Sequence, residues 1–99
     1  MGVLVGILAA GETSNPLNVS PAPNMGHTYP IRVVAIGGFG VQEIVIDWSP
    51  TVETDDWVAL TTTLADDESL VIDAPVERIR ARAPAGMTGN ATIYAIPNA

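Results

Sequence analysis

The sequence has no cysteine, no lysine and a single histidine, His27. Without cysteine there is neither a disulfide framework nor thiolate chemistry. One histidine excludes a histidine-based metal cluster and any two-histidine mechanism. Arg32, Arg78, Arg80 and Arg82 stand against eleven carboxylates, for a formal net charge of −7. Binding to DNA or RNA needs clustered cations whose contacts release counterions, and docking on an anionic membrane needs cations too. Neither partner is expected, and solubility alone accounts for the negative charge. A helical repeat of apolar residues is also missing from every window, and no internal repeat or low-complexity tract is present.

What is abundant is apolar surface. The 99 residues are 47% apolar and 15% charged, against about 25% charged in ordinary domains. That length makes one domain, and a domain so small buries only about 60–65% of the surface its unfolded chain exposes. Some of the apolar surplus must then lie outside, where contact with neighbouring subunits is the usual way of covering it.

Along the chain, Val3 to Ala9 is nearly continuously apolar, which predicts a strand covered on both faces. Val3 to Ala10 resembles the middle of a signal peptide. It has no basic residues before it and is too short to span a bilayer, so it is read as a strand. Glu12 to Met25 carries Pro16, Pro21 and Pro23 among asparagines, the composition of an extended arm, with a reach of about 45 Å. Tyr29 to Ile36 is β-branched and apolar, and Gly37-Gly38-Phe39-Gly40 predicts a hairpin turn with Phe39 at its tip. Val41 to Trp48 alternates, with Ile44, Ile46 and Trp48 on one face and Glu43, Val45 and Asp47 on the other. Further strands are expected over 57–63, 69–73, 76–83 and 91–96. In 76–83, Ile79, Ala81 and Ala83 oppose Arg78, Arg80 and Arg82. The fold class is all-β, an antiparallel β-sandwich, immunoglobulin-like or jelly-roll-like. Residues 1–25 are expected to be an N-terminal strand and arm, and residues 26–99 the sandwich.

Catalysis has few routes. A serine nucleophile would need His27 beside Ser14, Ser20, Ser49 or Ser69, and none of these sits in a nucleophile elbow. Asp55-Asp56 and Asp66-Asp67-Glu68 lack the alternate spacing of a calcium loop and read as solvated turns. The glycine cluster has no lysine after it and is no phosphate cradle. No enzyme activity, metal or cofactor is expected. Trp48 and Trp57 suit core filling better than a sugar platform. The stripe Arg78, Arg80, Arg82 has two readings: cross-strand pairing with carboxylates such as Glu43 and Asp47, or a grip on a polar or acidic face of a neighbouring subunit.

The run Glu43-Ile44-Val45-Ile46, Ser49, Trp57-Val58-Ala59-Leu60, Ala74-Pro75-Val76-Glu77-Arg78-Ile79-Arg80-Ala81, Gly86, Gly89 and Ala91-Thr92-Ile93-Tyr94 resembles small β-sandwich modules of tailed-phage virions. The likeness covers roughly residues 40 to 96. It departs where Ser49 continues as Pro50-Thr51-Val52-Glu53 in place of aspartate–glycine. It implies a virion structural part, foremost a capsid decoration (cement) protein on the capsid exterior, made in the host cytoplasm. Such a protein bridges subunits of the major capsid protein and forms homo-oligomers, trimers by the habit of the family. A tail or head-fibre adaptor belongs to the same class. The residues expected to meet partners are Val3, Val5, Ile7, Pro16 and Pro21 of the N-terminal segment, Phe39 at its turn, and Arg78, Arg80 and Arg82. The competing reading is a carbohydrate-binding module that stacks sugars on Trp48, Trp57 and Phe39.

Overall fold

The computed structural model describes residues 3–19, 28–40, 42–51, 53–72 and 76–98. Eight strands run in the order β1 (Val3–Leu8), β2 (Leu17–Asn18), β3 (Thr28–Ile36), β4 (Val45–Ser49), β5 (Val58–Ala59), β6 (Glu68–Ile72), β7 (Arg78–Arg82) and β8 (Ala91–Asn98). They form two antiparallel four-stranded sheets, ordered β1-β8-β3-β6 and β2-β7-β4-β5. No helix occurs among the described residues. The pairings β1–β8, β2–β7, β3–β6 and β4–β5 are nested, as in one long hairpin rolled up on itself. Closing pairs β3–β8 and β4–β7 complete each sheet. This is jelly-roll order. In an immunoglobulin sandwich the last strand joins the opposite sheet, whereas here β8 lies between β1 and β3.

Alternation within the strands makes the core. Ile31, Val33 and Ala35 of β3, Ile93 and Ala95 of β8, and Leu70 and Ile72 of β6 point inward from the first sheet. Ile46 of β4 with Ile79 and Ala81 of β7 meet them from the second. Ile44, Ile46 and Trp48 share a face as their spacing predicts, Trp48 packing half-buried against the core.

Three expectations change. The glycine cluster is no hairpin turn, because β3 and β4 lie in different sheets and the chain crosses between them. Phe39 is therefore inside, fully buried in the hydrophobic core cluster. The strand expected over 57–63 shrinks to β5, which pairs only with β4.

The arm also changes character where it is described. Residues 12–19 lie along β7: Thr13 bridges Arg82, Ala83 N–H donates to Glu12 O, and Leu17 and Asn18 pair with Ile79 and Arg78. Buried Ser14 works on both sides of this edge. Its N–H donates to Ala81 O at 2.8 Å, and its hydroxyl accepts from Ala81 N–H at 2.9 Å. Proline breaks ladders, so its density predicts an arm, yet the short segment after Pro16 still pairs. Pro16 is exposed beside β2, and Pro21 lies outside the described residues.

Gly37 is the tightest point of the crossing. Its φ is +130°, and a Cβ there would sit 2.5 Å from the carbonyl oxygen of Asn90. Gly37→Ala is expected to cost about 2–3 kcal/mol, from strained backbone plus displacement of the 84–90 loop. A thermal melt checks this; an unchanged midpoint would show that the crossing has another conformation.

Candidate functional site

The sandwich presents two outer sheet faces of opposite character. On the second sheet the three arginines emerge on alternate residues of β7, and Asp47 is the register partner of Arg80 on β4. The Asp47 side chain is only 3% exposed. Arg80 Nε donates to its Oδ2 at 2.9 Å, Arg82 Nε donates to the same oxygen at 2.7 Å, and Arg82 Nη2 donates to Oδ1 at 3.0 Å. The buried carboxylate is thus held by three charge-assisted hydrogen bonds. Trp57 lies beneath the other end of the stripe, its ring centroid 4.3 Å from Arg80 Cζ and 4.7 Å from Arg78 Cζ. Arg78 is buried, and its guanidinium donates to the carbonyls of Thr51 and Thr54 and lies 3.8 Å from exposed Asp55. Buried Ser49 sets that loop, its hydroxyl donating to Thr51 O at 2.9 Å.

This arrangement pins Thr51, Thr54 and Trp57 to the sheet. Of the two readings of the stripe, cross-strand pairing is the one the geometry forms, with Asp47 and not Glu43. Glu43 instead accepts from the Thr63 hydroxyl. Arg78 is spent on backbone carbonyls, which leaves Arg80 and the more exposed Arg82 at the surface.

The first sheet is different. Its described outer side chains fall into three rows across the strands. Leu4, Tyr94, Val34 and Ser69 form the middle row, flanked by Ile7, Thr92 and Ile36 on one side and by Ile96, Arg32 and Val71 on the other. Seven of these ten side chains are apolar or aromatic, none is a carboxylate, and Arg32 is the one charge. Ile7 is 59% exposed, Leu4 and Val71 48% each, and Ile36 40%. The Arg32 guanidinium donates to the Ser69 hydroxyl at 3.1 Å, so the cation is tethered along the face.

A bulge aims β1 at this surface. The register shifts between Leu4 and Gly6, so that Leu4 and Ile7 point outward while Val5 and Leu8 point into the core. Gly6 allows the close approach, since a Cβ there would lie 3.0 Å from Ser14 Cβ. The strand is therefore covered on one face only. The expectation of two covered faces fails because β1 sits at a sheet edge with an open outer side. Of the N-terminal residues expected to meet partners, Val3 and Ile7 are exposed and Val5 is buried.

No family model, curated protein or solved structure matches this chain. What it displays is a small all-β two-sheet sandwich.

The remaining sequence candidates have local duties. Ser69 takes the Arg32 hydrogen bond, while Ser14 and Ser49 serve backbone groups. Asp66 accepts from Gly38 N–H at 3.0 Å and Glu68 from Ala65 N–H at 3.2 Å, which accounts for that acidic turn. Ser20 and His27 lie outside the described residues. The aromatic platform is not assembled: Phe39 is buried, Trp48 packs on the core, and Trp57 is stacked with arginines. Sequence reasoning missed Leu4, Val34, Ile36, Val71, Tyr94 and Ile96 as a surface. The available signal was that β3 carries apolar residues in both alternation phases, giving its sheet two apolar faces.

Proposed function

We propose that this chain is a non-catalytic structural protein that packs into a larger particle through the outer face of its first sheet. The particle we favour is a tailed-phage virion, with the chain as a decoration protein that stabilises the capsid by bridging subunits. One observation supports assembly above all: among the described residues, the ten outward side chains of the first sheet are mostly apolar and include no carboxylate. Its projected area is about 400 Å², from four strands about 4.8 Å apart and five to seven residues at about 3.3 Å each. The largest apolar patch on an ordinary monomer spans about 300–600 Å² and is often functional. The jelly-roll order agrees with a capsid-associated role by fold-level analogy only, because capsid proteins, lectins and cupins share it.

Deleting residues 1–25 is a poor test, since Val5, Leu8 and Val19 belong to the core. Point charges on the face are better. Ile7→Asp and Ile36→Asp should leave the β-sheet circular dichroism unchanged and lower occupancy on particles lacking the native protein by at least tenfold. Folded variants that decorate particles as fully as the parent would overturn the reading.

A further inference from the structure

We propose that the apolar face of the first sheet is self-complementary, so that its occupant is a second copy of this chain, packed face to face. The proposal rests on the assembly reading above and names the neighbour that covers the face.

Charge selects the occupant. Two copies of a chain with net charge −7 repel each other, so a self-contact must fall where carboxylates are absent. Among the described residues, the three outer rows of the first sheet meet that condition, whereas the outer side of the second sheet carries Asp47. The second sheet would oppose the Arg78–Arg80–Arg82 stripe to itself, which costs energy by like-charge juxtaposition. The outer rows of the first sheet carry one arginine, Arg32, off the middle row. Consider a two-fold axis lying in the interface along the middle row of Leu4, Tyr94, Val34 and Ser69. It brings the Ile96, Arg32 and Val71 row against the Ile7, Thr92 and Ile36 row of the other copy. Arg32 then faces apolar side chains and a threonine hydroxyl, never a second Arg32. Every contact is made twice, as a closed two-fold interface requires. Twisted sheets pack in this manner with strands about 30° apart and side chains interdigitating.

Area sets the strength. About 400 Å² of projected face from each copy places the interface below the usual 1,200–2,000 Å² of stable complexes, in the weak and transient class. The free protein should therefore exist as monomer and dimer in a concentration-dependent balance, with the dimer favoured once many copies are gathered on one particle. Added salt should favour the dimer, because it screens the repulsion between the acidic bodies and leaves apolar contact intact.

Sedimentation equilibrium on the full chain, from micromolar to millimolar concentration, tests this. The expected mass rises from 10.3 kDa towards twice that value and no further, and rises sooner at 0.5 M salt than at 0.05 M. Ile7→Asp and Ile36→Asp should each raise the concentration at half-dimerisation at least tenfold. Val58→Asp, at an exposure between those of Ile7 and Ile36 but on the second sheet, should leave it unchanged. A wild-type protein that stays monomeric to millimolar concentration, or settles at three chains, overturns the proposal. If it stays monomeric while the two face variants still lose particle binding, the assembly reading survives with another protein as the occupant. If those variants dimerise like the parent, the face is not the self-contact.

Discussion

Asp47→Ala is expected to lower the stability of the folded chain by about 2–3 kcal/mol, seen as a melting midpoint about 10–20 °C lower. The carboxylate sits under two guanidiniums that share one of its oxygens. Removing it leaves Arg80 and Arg82 side by side without their counter-charge. Breaking a fully buried pair costs about 3–5 kcal/mol. The lower figure is expected here because the two arginines are 28% and 43% exposed and water recovers part of the loss. The reverse change should be mild. Arg82→Ala leaves Asp47 paired with Arg80 and removes the more exposed partner, so about 1 kcal/mol or less is expected. Chemical denaturation followed by tryptophan emission measures both, and Trp57, stacked on Arg80, reports loosening of the cluster directly. Equal costs for the two variants would show that the buried carboxylate is not the centre of the network.

Phe39→Ala is expected to cost about 3–5 kcal/mol, the range for truncating a fully buried aromatic. Domains of this size have only about 5–15 kcal/mol in total, so the variant should be partly unfolded at 37 °C or recovered mainly in aggregates. The ring is fully buried in the core cluster and is carried by the connection between the two sheets. Phe39→Leu keeps most of the volume and should recover more than half of the loss. A Phe39→Ala protein as stable as the parent would return the residue to the surface, where its position in a glycine-rich cluster first suggested it lay.

These two residues show how far a sequence can be read. The asymmetry of β7 was legible: alternation alone separates Ile79, Ala81 and Ala83 from the arginines, and the structure keeps that division. The alternation of 44–48 was equally legible, and it placed Asp47 among the candidate partners of the stripe. Strand existence follows from local spacing because a pleated chain sends successive side chains to opposite sides. The fate of Phe39 was not legible. A glycine-rich cluster between two strands looks the same whether it folds back as a hairpin or steps to the other sheet, and only the second choice buries the ring. Trp57 is a similar case, since nothing local says that a tryptophan before a two-residue strand will lie against arginines some twenty positions later.

By itself, the sequence determined an all-β domain of strands and turns, acidic, without thiols, and with more apolar surface than so short a chain can bury. Those properties are sums over residues or patterns within a few positions, and no distant contact can alter them. Tertiary structure alone decided the jelly-roll order, the placing of residues 12–19 along β7, and the gathering of Leu4, Val34, Ile36, Val71, Tyr94 and Ile96 on one open face. Each of these depends on which strand pairs with which across tens of residues. That choice is made by the simultaneous burial of many side chains, so no single segment encodes it.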